Sequence, residues 1–284
     1  MFNFAIRNLK VFFKDKSSVF FSLLAVFIII GLYGIFLGDI LISNFNGAVG
    51  ARYLMDSWIM AGLLGVASVT TTMGAFGIMV EDKTKKINKD FIASPVKNNT
   101  IVSGYILSSI FIGIIMSFIT LVLAEVYVLI NGGELMDFLT LIKTLGLIIL
   151  TTVANSSIVL FIVSFFNSTN GFATASTVIG TLVGFLTGIY VPIGQLPEVA
   201  QIVIKCFPPS HGVALFRQVL TSAPIATTFE GAPVKAVTDM QELLGITYKF
   251  GNITVTPFVS VMLLVVTVVV FYGLSIWNVS RKRK

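Results

Sequence analysis

The sequence predicts an all-α integral membrane protein, and three observations support this. Of the 284 residues, 56% are hydrophobic and only 11% are charged, whereas soluble domains carry about 25% charged residues. Apolar runs of about 20 residues, the length that crosses a bilayer core about 30 Å thick, recur along the chain. The basic residues cluster in segments that would share one side of the membrane. We therefore expect six transmembrane helices in one domain, residues 1–284.

Six apolar runs account for the predicted transmembrane helices. No charge interrupts a run near its middle. Because backbone amides in hydrocarbon must be satisfied within their own segment, each run is predicted to be helical. The third and fourth runs are longest, so these helices should tilt or extend beyond the membrane. The predicted spans are residues 19–41, 57–80, 101–130, 138–166, 172–190 and 257–277.

The distribution of positive charge predicts a multi-pass protein of the cell membrane with both chain ends in the cytoplasm. In this topology the cytoplasmic segments carry 13 of the 19 Lys and Arg residues, as the positive-inside rule requires. The net charge of +6 therefore does not indicate nucleic acid as a partner. The 13 residues are Arg7, Lys10, Lys14, Lys16, Lys83, Lys85, Lys86, Lys89, Lys97, Arg281, Lys282, Arg283 and Lys284.

Residues 1–16 are predicted to form an amphipathic helix at the cytoplasmic membrane surface. At 100° per residue, one face is basic and polar and the other is apolar and aromatic, a pattern typical of interfacial helices. The alternative is an ordinary charged flank that only fixes orientation. The apolar face comprises Phe2, Ala5, Ile6, Leu9, Phe12 and Phe13, and the polar face Asn3, Arg7, Lys10 and Lys14.

The longest predicted cytoplasmic connection is the loop of residues 81–99. Its apolar residues Ile87, Phe91 and Ile92 recur at helical spacing among lysines. Pro95 should end this short helix. A solvated charge run does not need such apolar residues, so we expect the helix to face the membrane surface or another protein.

The largest predicted extracellular region is residues 191–256. Pro197 can begin a short helix, Pro208 and Pro209 must break it, and Phe216 lies on the apolar side of a second helix. Each helix is too short to cross the membrane. The pair therefore predicts a re-entrant or outer-leaflet hairpin between the fifth and sixth transmembrane helices.

Two capping residues are predicted in the same region. Ser210 should cap the second helix of the hairpin. Thr238 and Gln241 form a capping box for a further helix, with Gly245 after its end.

The sequence has few residues suited to catalysis. With His211 and Cys206 as the only histidine and cysteine, the chain cannot build a catalytic metal site or a histidine-dependent triad alone. No Walker A sequence is present, so energy for any active process must come from a partner. Asp39, Glu125 and Lys143 lie near the outer ends of spans, where charged side chains reach the interface.

Small and hydroxylated residues are frequent in the second, fourth and fifth spans. They allow helices to approach closely and to hydrogen-bond to each other. Bundle packing is one explanation, and a weakly polar path for an amphipathic substrate is the other. The candidate path residues are Thr71, Thr152, Asn155, Ser156 and Thr177.

Three features in this order resemble the permease subunit of an ABC-2 type exporter. An amphipathic N-terminal segment leads into the first span. The cytoplasmic loop ends in Ser94-Pro95-Val96, before Gly104-Tyr105. The most specific feature is the series Gly188-Ile189-Tyr190-Val191-Pro192, Gln195-Leu196-Pro197-Glu198, Phe207-Pro208-Pro209 and Phe216-Arg217-Gln218-Val219-Leu220.

The resemblance implies a transport subunit without a catalytic site or cofactor of its own. ATP and Mg²⁺ would bind two ATPase subunits on separate chains, and a second permease, identical or paralogous, would sit in the surrounding lipid. The N-terminal segment would touch the ATPase, and the loop would carry a coupling helix. The implied coupling residues are Ile87, Asp90, Phe91, Ile92 and Pro95, and the implied extracellular hairpin residues are Pro197, Pro208, Pro209 and Phe216.

The expected function is outward transport of an amphipathic or hydrophobic substrate, such as a drug, an antimicrobial peptide or a lipid-like molecule. An ion-driven carrier or channel is an alternative, but it would need carboxylates at mid-membrane or a matched pair of broken spans. An intramembrane enzyme would need ionisable residues at one depth. A role in immunity or sensing shares the ABC-2 architecture, and the sequence does not separate it from transport.

Overall fold

The chain is helical over most of its length, as the apolar runs predict. The computed structural model describes residues 1–43, 48–87, 91 and 98–281. A π-helical turn, Tyr33–Leu37, connects the second and third helices. In chain order the helices are α1 (Phe2–Lys14), α2 (Lys16–Leu32), α3 (Gly38–Ser43), α4 (Ala51–Thr84), α5 (Asn98–Ile130), α6 (Phe138–Val163), α7 (Thr169–Leu186), α8 (Glu198–Cys206), α9 (Pro208–Leu220), α10 (Ser222–Thr228), α11 (Val234–Leu243) and α12 (Pro257–Arg281).

Five helices in the described residues are long and apolar enough to cross a membrane, namely α2, α4, α5, α6 and α12. The bent pair α8–α9 raises the number to six if it is counted as one broken span. The predicted span 172–190 corresponds to α7, which is not among the five. With 18 residues, α7 is about 27 Å long. Its many Thr, Ser and Gly residues explain its lower apolarity.

Helix α4 lies at the centre of the bundle. In its most apolar stretch 83% of the residues are buried, against 22% in α12. Two glycines allow neighbouring elements to approach its backbone. A Cβ atom at Gly65 would lie 2.1 Å from Val213 of α9, and one at Gly62 would lie 2.9 Å from Ile189. Small residues therefore place the hairpin directly against α4.

Helices α8 and α9 meet at an angle of 89°, where Pro208 and Pro209 prevent α8 from continuing. In α8, Val199, Ile202 and Val203 are exposed. In α9, by contrast, most residues are buried against α4, α6 and α12. The structure therefore has two short helices that meet at a proline break.

The region after the hairpin contains α10, α11 and two short antiparallel strands, β1 (Lys249–Phe250) and β2 (Ile253–Thr254). The predicted capping box is wrong, because α11 begins at Val234 and the Thr238 hydroxyl donates within the helix to the Val234 carbonyl. Gly245 does follow the end of α11, with a φ of +64°. A positive φ there is readily adopted by glycine.

Ser210 does not cap α9, contrary to the prediction. The N-cap residue of α9 is Phe207. The Ser210 hydroxyl instead donates to the carbonyls of Ile204 at 2.6 Å and Phe207 at 2.7 Å. It therefore bonds to carbonyl groups at the end of α8 and at the break after it, and both of these also accept a backbone N–H.

Candidate functional site

A bidentate ion pair joins the N-terminal helix to the end of α4. Arg7 donates to Asp82 at 2.6 and 3.0 Å, and the Tyr105 hydroxyl of α5 donates to the same carboxylate at 2.6 Å. The Asp82 side chain is 4% exposed and the Arg7 side chain 34% exposed. The hydrogen bond with Asp82 raises the pKa of Arg7 above its ordinary value. An arginine guanidinium is charged across the physiological range even without this shift.

Aromatic rings pack beside this ion pair. Phe4 contacts Phe91 and Tyr105 edge to face, with centroid distances of 5.0 Å in both pairs. The Arg7 guanidinium lies 5.4 Å from the centre of the Phe91 ring. Gly104 makes room for Phe4, since a Cβ atom there would lie 2.6 Å from the ring. We call Phe4, Arg7, Asp82, Phe91 and Tyr105 the N-terminal junction.

The structure describes two of the five predicted coupling residues. Ile87 is half-buried just after the turn that ends α4, and Phe91 packs in the junction. Asp90, Ile92 and Pro95 lie outside the described residues. The turn after α4 includes Lys86, whose φ of 63° falls in the left-handed region.

Sequence reasoning did not identify the polar part of the junction. The sequence pattern places Arg7 on the polar face of the N-terminal helix, and it places Asp82 in the loop because the second span is predicted to end at residue 80. Asn8 was not considered, although it is fully buried and donates to Ser108 at 3.2 Å. No local pattern in the sequence pairs residues 7 and 82.

The structure does not bring the five candidate path residues onto one surface. Thr71, Thr152 and Ser156 are buried between helices. The Ser156 hydroxyl, for example, accepts a hydrogen bond from Tyr272 of α12 at 3.2 Å. Asn155 and Thr177 line two different hollows on either side of α7.

Thr177 lines a cleft of about 710 Å³ between α2, α4 and α7, which we call the side cleft. The volume falls in the range of about 300–1,000 Å³ that small-molecule sites occupy. Its wall combines hydroxyl groups, small residues and aromatic rings. They include Phe21, Ser22, Thr70, Gly74, Gly77, Phe172, Ser176, Thr177, Gly180, Thr181 and Tyr190.

The predicted hairpin residues occupy structural positions at the opposite end of the bundle. Pro197 precedes α8, and Pro208 is the first residue of α9. Pro209 and Phe216 are buried in α9. Phe216 packs in a small apolar cluster with Ala61 of α4 and other residues.

Arg217, next to Phe216, is completely buried. It donates to the carbonyls of Gly188 at 2.8 Å and Leu244 at 3.2 Å. Its guanidinium lies 4.3 Å from the centre of the Trp58 ring, and the Trp58 indole also donates to the Leu244 carbonyl, at 2.7 Å. In the described part of the chain no acidic side chain pairs with Arg217.

A further donor reaches the same region from the first span. The Tyr33 hydroxyl, in the π-helical turn after α2, donates to the Ile189 carbonyl at 3.0 Å. We call Tyr33, Trp58 and Arg217 the hairpin anchor. These side chains hold the turn after α7, α9 and the end of α11 against α4.

Comparison with protein families places the chain beside known transporters. A family model described as "ABC-2 family transporter protein" matches residues 38–277. The matched region contains the whole of α4 to α11 and most of α12, but not α1. The comparison with curated proteins finds no match.

Proposed function

Because the chain belongs to the ABC-2 transporter family, we propose that it is the permease subunit of an ATP-driven exporter. It moves an amphipathic or hydrophobic substrate outward across the cell membrane. Two ATPase subunits on separate chains bind ATP and Mg²⁺. A second permease subunit, identical or paralogous, completes the transporter.

The N-terminal junction is the observation that carries this proposal. It links α1, Phe91 and the start of α5 to the end of α4, the most buried long helix. A displacement applied at Phe91 therefore reaches α4 through two aromatic contacts, Phe91–Phe4 and Phe4–Tyr105, and through the Arg7–Asp82 ion pair. Edge-to-face pairs contribute about 0.5–1.5 kcal/mol each beyond area burial.

ATP binding can drive transport only if it favours one spacing of the ATPase subunits over another. The segment around Ile87 and Phe91 is the contact that senses this difference. Asp82 passes the displacement to α4, which packs against most other long helices. Shifts of packed helices at such interfaces are a known form of switching transition.

The charge distribution supports a cytoplasmic location for the junction. Lys83, Lys85 and Lys86 lie at its end of the bundle, where α12 also ends at Arg281. Asn278 of α12 donates to Ser164, just after α6, at 2.6 Å, which places the end of α12 beside the end of α6. Both termini are then cytoplasmic, in accord with the positive-inside rule.

The side cleft supports an amphipathic substrate. Its aromatic rings, such as Phe21 and Phe172, offer apolar contact, and hydroxyls such as Thr70 and Thr177 offer hydrogen bonds. No Asp, Glu, Lys or Arg is among its described lining residues. A small ion would need stronger ligands than this wall provides.

The proposal is tested by co-expressing the chain with its cognate ATPase. We expect Phe91→Asp to abolish co-purification of the ATPase and substrate-dependent ATP hydrolysis, because it places a charge among aromatic rings and removes the apolar contact. Phe250→Asp is the matched control. Phe250 is a partly exposed phenylalanine on β1, outside the candidate spans and at the opposite end of the bundle.

The two variants separate coupling from general damage. We expect Phe250→Asp to retain both the ATPase and transport. If Phe91→Asp also retains both at wild-type level, the coupling role of this segment is wrong. If the purified chain moves substrate without any ATPase, the whole proposal is wrong.

A further inference from the structure

An open, polar cleft lies in the region of the hairpin, between α8, α11, β1 and the 3-10 turn Ile193–Gln195. We call it the outer cleft. Its volume is about 260 Å³, which equals that of about nine water molecules in the liquid. A ligand held there is therefore small. The charged and amide side chains that line the cleft are Gln201, Lys205, Asp239, Glu242 and Lys249.

The two helical walls of the outer cleft carry opposite charges. From α8 come Gln201 and Lys205, which are four positions apart and so lie on one side of the helix. From α11 come Asp239 and Glu242, which are three positions apart and also share a side. The strand β1 adds Lys249, which forms an ion pair with Glu242. One wall is therefore cationic, and the other is acidic but partly neutralised.

Lys205 and Asp239 remain as a separate cation and anion in the same cleft. In the described part of the chain neither side chain forms an ion pair, either with the other or with a third residue. Asp239 is exposed and Lys205 is half-buried, so solvent reaches both groups. Each can therefore accept a ligand group of opposite charge without giving up a partner in the protein.

Contacts within the protein hold the walls of the outer cleft in place. Gly194 lets α11 approach the 3-10 turn closely, since a Cβ atom there would lie 2.8 Å from the Leu243 Cα atom. On the other wall, the His211 ring of α9 donates to the Lys205 carbonyl at 2.8 Å. A cleft with fixed walls spares a ligand the cost of ordering them.

From these observations we propose that the outer cleft binds a small zwitterion, such as a free amino acid, with its carboxylate on Lys205 and its ammonium group on Asp239. Hydrogen bonds between charged groups are stronger than those between neutral ones, and a zwitterion makes them at both ends. In the proposed topology the cleft opens outside the cell, so the ligand is extracellular. Binding needs no ATPase, so this proposal and the transport proposal can fail separately.

The test uses the full-length chain purified in detergent without any ATPase. Free alanine is compared with propionate, which lacks the ammonium group, and with ethylamine, which lacks the carboxylate. Each probe has one methyl group, and titration of its saturation-transfer NMR signal gives a dissociation constant. We expect alanine to bind about tenfold more tightly than either analogue, because each analogue loses one charge-assisted hydrogen bond.

Two substitutions assign the two ends of the ligand. Lys205→Gln should weaken the binding of alanine and propionate about tenfold and leave that of ethylamine unchanged. Asp239→Asn should weaken the binding of alanine and ethylamine to the same extent and leave that of propionate unchanged. Lys235→Gln and Glu230→Gln are the matched controls, since both positions are exposed and neither lines the cleft. We expect both controls to bind all three probes as wild type does.

The proposal is overturned if wild type does not bind alanine, or if alanine binds no more tightly than the two analogues. It is also overturned if either Lys205→Gln or Asp239→Asn keeps the wild-type affinity for alanine. Equal losses of alanine affinity in the controls and in the cleft variants would indicate a general effect of surface charge, which would likewise contradict a site between α8 and α11.

Discussion

The two ends of the bundle attach their outer elements to α4 in different ways. At the N-terminal junction the bond is an ion pair between a partly exposed Arg7 and a buried Asp82. At the hairpin anchor, Arg217 is fully buried and donates to neutral backbone carbonyls. A pair that water can reach on one side can break and reform, whereas a buried guanidinium cannot leave its acceptors without a large cost. The junction therefore suits a moving contact and the anchor a fixed one.

The largest effect on stability is expected at the anchor. Arg217→Ala leaves the Gly188 carbonyl without this donor and opens a cavity beside Trp58, so we expect a loss of about 3 kcal/mol in the free energy of unfolding. Arg217→Lys keeps the charge but not the planar guanidinium group, so its loss of unfolding free energy should lie between those of wild type and Arg217→Ala. Thermal unfolding in detergent measures both. Lys235→Ala, at an exposed position in α11, is the control. If Arg217→Ala and Lys235→Ala unfold at the same midpoint temperature, Arg217 does not stabilise the fold as proposed.

A smaller effect is expected where the hairpin packs on α4. Gly65→Ala places a Cβ atom 2.1 Å from the Val213 side chain, and such overpacking costs about 1–3 kcal/mol. Gly180→Ala in α7 meets nothing within 4 Å and should be neutral or stabilising, since Ala favours helix over Gly. The two substitutions should therefore shift the unfolding midpoint differently. Equal shifts would mean that α9 does not pack tightly on α4.

The smallest effect is expected for Tyr33→Phe. This change removes the hydroxyl that donates to the Ile189 carbonyl and leaves the ring in place. We expect a loss of about 1 kcal/mol, the net value of one neutral hydrogen bond. The same unfolding assay measures it. A loss as large as that of Arg217→Ala would show that the first span, not the guanidinium, dominates the anchor.

Much of the fold could be predicted because long apolar runs and prolines act locally. The runs predict α2, α4, α5, α6 and α12, and Pro208 predicts the break after α8. The exact helix ends could not be predicted in the same way. Ser210 has the residue type of a helix cap, but its hydroxyl bonds to carbonyls of the preceding helix. Which acceptor a serine finds depends on tertiary contacts, as Thr238 also illustrates inside α11.

The polar centres of the candidate site were harder to predict. Arg7 and Asp82 are 75 positions apart, and no spacing rule links them. Arg217 was part of a recognised motif, but its burial depends on carbonyls at Gly188 and Leu244, which two separate turns bring together. Phe91 was predicted as a contact residue because apolar side chains in a charged loop need a partner. The local sequence thus indicates that Phe91 makes a contact, and the fold determines which residues it contacts.

The most direct test of the account is to separate docking from transmission at the N-terminal junction. Transport, substrate-stimulated ATP hydrolysis and co-purification of the ATPase are measured for Arg7→Ala and Asp82→Asn, with Lys10→Ala, at an exposed position of α1, as control. We predict that both junction variants keep the ATPase but lose most transport and stimulated hydrolysis, while Lys10→Ala keeps all three. Wild-type transport by a folded Asp82→Asn protein would contradict the claim that the junction transmits work to α4.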